Sequence, residues 1–158
     1  MRSRDYEEFV ESLNRLDVRY LIVGAHAVAF HARPRATRDL DILLEPTREN
    51  AERVLTVIRD FLGDDLGLRA EDLSTPDRIV QLGVAPARID LLSRIDGVED
   101  FEAAWNRRAD AAFGDVPAHY LSLEDLIRAK TSAGRDQDKA DLVILRRASR
   151  ERGDLSDS

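Results

Sequence analysis

Two short apolar runs constrain the fold of this chain more than any other feature. Tyr20 to Val23 and Leu40 to Leu44 are rich in β-branched residues and leucine, and they are closed by Gly24 and Pro46. Runs of this length that end at turn-forming residues are typical of buried strands. Helical spacing of apolar residues precedes the first run and follows the second. We therefore expect strands and helices to pack together in one mixed domain.

The rest of the chain predicts further elements of both kinds. The expected helices cover residues 4–16, 25–31, 47–62, 101–108, 122–133 and 138–150, and the expected strands cover residues 78–84, 87–92 and 116–121. Residues 63–77 are acidic and turn-rich, which indicates a loop. The sequence thus predicts a single α/β (α+β) domain over residues 1–152, with a mixed, mostly antiparallel sheet flanked by helices. We expect residues 153–158 to form a disordered tail.

Composition excludes several classes of protein. The 158 residues include no cysteine, so disulfides and thiolate metal sites are excluded. No apolar run approaches membrane-spanning length, and the charged N-terminus does not resemble a signal peptide, so we predict a cytoplasmic protein with no membrane partner. The net charge of −7 opposes broad, nonspecific binding to nucleic acid. A local basic patch at Arg33, Arg35 and Arg38 remains compatible with that charge.

Three carboxylates stand in predicted strands or directly before one. Because strand side chains alternate, Asp39 and Asp41 project from one face. Two carboxylates this close repel each other unless a cation lies between them, and magnesium is the hard ion that prefers such ligands. Asp90 stands between apolar residues of a second strand and completes a cluster for two magnesium ions if the strands are neighbours. The alternative is that the Asp39–Asp41 pair only faces solvent on an edge strand.

Two further features could face a phosphate. Gly24 follows the first strand, where it either simply lets the chain turn into a helix or lets backbone amides approach a bound anion. Thr37 and Arg38 immediately precede the strand with the paired carboxylates. They could contact phosphates, or Arg38 could pair with the carboxylates when no metal is bound.

Taken together, three segments resemble a known superfamily. Residues 21–30 (LIVGAHAVAF) and 33–42 (RPRATRDLDI) are similar to the signature of the DNA polymerase β-like nucleotidyltransferases. Within that superfamily the chain is most similar to the AbiEii-type group, which includes bacterial toxin nucleotidyltransferases. Residues 122–141 (SLEDLIRAKTSAGRDQDKAD) also resemble that group. The resemblance spans roughly residues 18–145 and implies a nucleotidyltransferase fold.

The resemblance implies roles for the residues around the paired carboxylates. Asp39 and Asp41 match the family's paired metal ligands. Asp90 matches the third carboxylate, which is a metal ligand and a candidate catalytic base. Gly24 and Ala25 match the glycine-containing turn that faces the triphosphate. The resemblance therefore predicts that these five residues surround one site.

The resemblance also implies a role for the later segment. Lys130 matches a lysine that contacts nucleotide phosphates, and Arg135, Asp138 and Asp141 fall on a polar motif that lines or braces the site. Each has a simpler alternative. Lys130 lies near the apolar face of its helix and could extend its ammonium group to solvent. Asp138 could be a helix cap.

The predicted function is magnesium-dependent transfer of a nucleoside monophosphate from a nucleoside triphosphate to an acceptor hydroxyl, with release of pyrophosphate. The resemblance favours tRNA or a protein side chain as acceptor, and a role in a toxin–antitoxin system with an antitoxin or other partner chain. The alternative is a weakly active or inactive nucleotide-binding or protein-interaction module. Ala25 lacks the hydroxyl of a Gly-Ser turn, and Gln137 stands where lysine is common. The three carboxylates favour the enzyme.

Overall fold

The computed structural model describes residues 3–34, 36–84 and 87–156, and the helices and strands below refer to that part of the chain. The helices are α1 (Ser3–Arg15), α2 (Gly24–His31), α3 (Arg48–Leu62), α4 (Ala70–Ser74), α5 (Phe101–Asn106), α6 (Leu123–Ala133) and α7 (Asp136–Ser156). The strands are β1 (Tyr20–Val23), β2 (Leu40–Leu44), β3 (Ile79–Val84), β4 (Ala87–Leu92), β5 (Ala109–Phe113) and β6 (Val116–Tyr120).

The strands form one mixed sheet in the order β3-β4-β2-β1-β6-β5. Three neighbouring pairs are antiparallel, namely β3–β4, β1–β2 and β5–β6. The remaining two, β2–β4 and β1–β6, are parallel. The structure therefore confirms the predicted α+β fold with a mixed, mostly antiparallel sheet. It is consistent with a nucleotidyltransferase fold.

Local sequence signals place the ends of the long helices. Thr47 caps α3 by accepting a hydrogen bond from the amide of Asn50 at 3.2 Å, and Gly63 ends it in the left-handed conformation at φ +76°. Ser122 and Gly134 play the same two roles for α6. None of the described helices combines the length and apolar character that crossing a lipid bilayer requires.

The centre of the sheet supplies most of the core. All four side chains of β1 are buried, and in β2 only Asp41 is not fully enclosed. Helices α1 and α3 pack on each other through Phe9 and Phe61, whose ring centroids are 5.3 Å apart. The two central strands are therefore fixed by burial, which in turn fixes the carboxylates that they carry.

The structure differs from the predicted elements in three places. α4 lies within the predicted loop 63–77, where the Asp72 side chain accepts a hydrogen bond from the Arg69 amide and stabilises a single short turn. β5 was not predicted, because its alanine-rich sequence has weak strand propensity and depends on pairing with β6. α7 continues to Ser156, beyond the predicted end near residue 150, so the predicted tail overlaps this helix; residues 157 and 158 lie outside the described part.

Candidate active site

Asp41 and Asp90 lie directly opposite each other on neighbouring strands. In the parallel pair β2–β4, Asp41 is the register partner of Asp90. Asp90 is only 9% exposed, and its negative charge acts on the Asp41 carboxyl group. The neighbourhood that the sequence could only suppose is therefore present, and it places two carboxyl groups side by side on adjacent strands.

The charge of this pair is incompletely compensated. Burial and, after it, the negative charges of Asp90 and Asp39 together raise the pKa of Asp41 to about 7, while Arg88 opposes the shift. The Asp41 carboxyl group therefore keeps its proton up to about neutral pH. An incoming cation could replace that proton.

Arg88 is a member of the site that the sequence analysis missed. Its Nε lies 3.0 Å from Asp90 Oδ1, and its Nη2 lies 3.7 Å from Asp39 Oδ2. Strand alternation was the available signal, since Arg88 precedes Asp90 by two residues and therefore shares its face. Among residues 3–34, 36–84 and 87–156, no group of three Asp, Glu or His side chains is arranged so that it could hold a metal ion. The positive charge between Asp39 and Asp90 comes from Arg88.

Gly24 is required at its position for two reasons. It begins α2 with φ +66°, a conformation that favours glycine. A Cβ atom there would lie 2.2 Å from Asp41 Oδ2, which is far closer than any real contact. The start of α2 thus lies against the Asp41 carboxylate, and its first amides have no side-chain cap from Val23. Ala25 follows within the same turn and is half-buried.

A cleft of about 430 Å³ opens over the Asp41–Asp90 pair. Its charged lining consists of Asp41, Asp77, Arg78, Asp90, Arg94, Asp96, Lys130, Arg135 and Asp138. Its apolar part is formed by Ile79, Leu92, Ile95, Leu126 and Ala129. A larger cleft of about 930 Å³ lies between α1 and β6, and none of the three predicted carboxylates lines it. We place the candidate site in the smaller cleft because two of the three predicted carboxylates, Asp41 and Asp90, line it, whereas Asp39 does not.

Lys130 and Asp138 form an ionic cluster in this cleft. Lys130 Nζ lies 3.1 Å from Asp138 Oδ1 and 3.0 Å from Asp141 Oδ2, and its side chain is 12% exposed. Arg135 Nε lies 2.8 Å from the other oxygen of Asp138, and the Arg135 amide also donates to it. Arg135 and then Lys130 lower the pKa of Asp138 to about 2. Asp138 therefore braces two cations of the cleft, and phosphate contacts by Lys130 and Arg135 stay predictions.

Thr37 and Arg38 precede β2 but do not line the cleft, and their contacts are with His26 and Tyr6. The Thr37 hydroxyl lies 3.0 Å from His26 Nε2. The Arg38 side chain is exposed, and its carbonyl accepts a hydrogen bond from the Tyr6 hydroxyl. Tyr6 also donates to the Arg88 carbonyl at 3.3 Å, so it ties the start of β2 to the start of β4. The nucleotide-binding roles of Thr37 and Arg38 stay predictions.

Comparison with known proteins supports the same class of chemistry. No curated protein matches the chain. A family model described as a nucleotidyl transferase of unknown function matches residues 2–157. This match agrees with the superfamily that the sequence resembles, while the narrower AbiEii-type group stays a prediction. Because the match covers nearly the whole chain, the protein belongs to this family of nucleotidyltransferases.

Proposed function

We propose that the protein transfers a nucleoside monophosphate from a nucleoside triphosphate to an acceptor hydroxyl in a magnesium-dependent reaction. The observation that carries this proposal is the register of β2 and β4. That register sets Asp41 opposite Asp90, beside the start of α2. A carboxyl group whose pKa is raised by burial and by a neighbouring carboxylate, as for Asp41, is a common feature of functional sites.

The residues present fit magnesium. Carboxylate oxygens are its preferred protein ligands, and the Asp41–Asp90 pair carries negative charge that the surrounding residues leave uncompensated. Asp41 and Asp90 would hold the metal, and Asp39 would join them once its ion pair with Arg88 opens. Magnesium, bound as one or two ions, would supply neutralisation of the charge on the phosphates.

The chain's own groups account for the movement of bonds and protons. The acceptor oxygen forms a bond to the α-phosphorus as the bond from that phosphorus to the bridging oxygen breaks, and pyrophosphate leaves. Asp90 accepts the proton of the acceptor hydroxyl, because β4 places it between Asp41 and the edge strand β3. The amides at the start of α2 and the Lys130 ammonium group bind the phosphates.

The rival function is an inactive nucleotide-binding or protein-interaction module. Ala25 has no hydroxyl to offer a phosphate, and the amide of Gln137 donates to Asp141 at 3.0 Å. An inactive site, however, would have no physical reason to keep two carboxyl groups side by side on adjacent strands, because their repulsion destabilises the fold. We therefore favour the enzyme, with tRNA or protein as acceptor and a toxin–antitoxin role as parts of the proposal.

The test is incubation with each α-³²P-labelled nucleoside triphosphate, magnesium, and pools of RNA and protein. We expect label transfer and pyrophosphate release by the wild type, and loss of both in Asp41→Asn and Asp90→Asn. The matched control is Asp60→Asn, which removes an exposed carboxylate of α3 and should leave transfer unchanged. Nucleotide binding without transfer in the wild type would instead identify the inactive module.

A further inference from the structure

The face of the sheet that carries the carboxylates continues onto β3. In the antiparallel pair β3–β4, Gln81 is the register partner of Asp90, and Gly83 is the partner of Arg88. Directly opposite residues in a ladder project from the same face. Gln81 and Gly83 therefore lie on the same face as the Asp90 carboxylate, one strand away.

Three residues of β3 form an exposed shelf next to the site. We name Ile79, Gln81 and Gly83 the β3 shelf, and all three are exposed, with Ile79 at 57%. The alternate residues Val80 and Leu82 are buried in the core. A strand with one buried face and one open face has a fixed register, so the β3 shelf cannot turn away from the site.

The outer edge of β3 is also open. β3 is the terminal strand of the sheet and pairs only with β4. Within the described ranges, the backbone hydrogen bonds that lie outside helices and strands do not involve residues 79–83. A terminal strand presents a row of amide and carbonyl groups that can pair with another extended chain.

A groove joins this edge to the candidate active site. A second cleft of about 430 Å³ follows the edge and is lined by Leu66, Leu68, Asp72 and residues 78–82. Arg78 and Ile79 line this groove and the active-site cleft alike. A chain lying along the edge of β3 would therefore enter the cleft that holds Asp41 and Asp90.

The charges around this entrance do not suit a polyanion. The β3 shelf has no charged side chain. The cations that line the active-site cleft are already paired: Arg78 lies 2.5 Å from Asp72 and Arg94 lies 2.9 Å from Asp77. Deeper in the cleft, Lys130 and Arg135 are paired with Asp138. Arg94 also has Asp96 and Glu99 within 3.8 Å, so carboxylates outnumber cations here. Binding of RNA depends on cations that are available to phosphates, whereas an extended polypeptide has no such requirement.

We propose that the acceptor is a hydroxyl-bearing side chain of an extended polypeptide that pairs with the edge of β3. This inference rests on the proposed nucleotidyl transfer and names its acceptor class. Backbone hydrogen bonds to β3 bind the acceptor, as in other cases of strand addition. The acceptor oxygen bonds to the α-phosphorus, pyrophosphate leaves, and the hydroxyl proton passes to Asp90.

The spacing of strands favours tyrosine among the acceptor residues. A strand added to β3 lies about 10 Å from β4, because neighbouring strands are about 4.8 Å apart. A tyrosine hydroxyl stands at the far end of a ring, so it crosses much more of this distance than the short side chains of serine or threonine. The modified residue should therefore be tyrosine more often than serine or threonine.

The test supplies α-³²P-labelled triphosphate and magnesium together with total tRNA and a nucleic-acid-free extract of soluble proteins. The variants are Gln81→Trp, which fills the β3 shelf, and Ile79→Lys, which places a charge on the strand edge. The control is Thr56→Trp, at an exposed site of α3 that lines neither cleft. We expect the wild type to produce label that proteinase removes and ribonuclease does not. In both shelf variants the rate of protein labelling should fall by about tenfold or more.

The readouts separate this inference from the proposed function. Affinity for the labelled triphosphate with magnesium is measured on every variant, and the fall in protein labelling should exceed any change in that affinity. Label in tRNA, no label in protein, or protein labelling that both shelf variants retain would each overturn the inference. The proposed function itself fails only when the wild type transfers label to neither pool.

Discussion

The candidate active-site cleft contains two groups of carboxylates whose surroundings shift the pKa in opposite directions. Asp138 is fully buried, is bound by Arg135 and Lys130, and has its pKa lowered to about 2. Asp41 faces another carboxyl group, and burial and repulsion raise its pKa to about 7. The same residue type in one cleft is therefore stabilised as an anion at one position and destabilised as an anion at the other.

This contrast distinguishes a structural carboxylate from one that, in the proposed function, would bind a cation. The charge of Asp138 is satisfied within the fold, so it contributes to stability and orients its partners. The Asp41–Asp90 pair is compensated only in part, by Arg88. Repulsion within such a pair lowers the stability of the fold, and a bound metal would restore that stability. The contrast can be tested by removing each carboxylate in turn.

The largest effect is expected for Asp90→Asn. We expect transfer to fall by about 1,000-fold, because the variant loses both a metal ligand and the proton acceptor. Stability should stay the same or rise, since the repulsion with Asp41 is removed. Rates with labelled triphosphate and urea unfolding of the same samples measure the two quantities. Normal transfer by this variant would show that the pair is not the reactive centre.

Gly24→Ala should have the next largest effect. The added methyl group would meet Asp41 Oδ2 at 2.2 Å and displace that carboxylate. We expect transfer to fall by about 100-fold, since small displacements in an active site have effects of that order. The control is Gly63→Ala, because Gly63 has a similar φ of +76° but nothing within 4 Å of the added atom. The control should lose about 1 kcal/mol of stability and retain transfer.

Asp138→Asn should mainly affect stability. The new amide group would face Lys130 and Arg135, so we expect the free energy of unfolding to fall by about 2 kcal/mol. Urea denaturation measures this change. Asp136→Asn, at an exposed position of the same helix, is the control and should change stability by less than about 0.5 kcal/mol. Equal effects in the two variants would contradict the structural role of Asp138.

The smallest effect concerns pH and metal. The pKa of Asp41 is raised from 3.8 to about 7 in the folded state, so the unfolded chain releases this proton first as the pH rises. The stability of the metal-free protein should therefore fall between about pH 4 and pH 7 and level off above that. Unfolding in the presence of a chelator measures this slope, which Asp41→Asn should remove.

Magnesium should restore that stability in the wild type. At pH 7.5 a tenfold excess over its dissociation constant adds about 1.4 kcal/mol. The melting temperature of Asp41→Asn should respond much less than that of Asp60→Asn. An equal response of both variants to magnesium would place the metal elsewhere.

Much of the candidate site was predictable because it depends on local patterns. Strand alternation placed Asp39 and Asp41 on one face, and the glycine after β1 indicated a tight turn into a helix. The role of Arg88 was not predicted, although its spacing from Asp90 indicated a shared face. Its ion pair with Asp39 joins two segments that are distant in the sequence, so local patterns could not indicate it. β5 was missed for a related reason, because pairing with β6 stabilises a sequence of weak strand propensity.

The sequence by itself determined five of the six described strands, the caps of α3 and α6 and the identity of the carboxylates, because these follow from spacing along a few adjacent residues. Only the tertiary structure decided the order of the strands. That order makes Asp90 the partner of Asp41, and it leaves β3 at the open edge of the sheet. Strand order depends on contacts between segments far apart in the chain, and burial of the core faces selects among them.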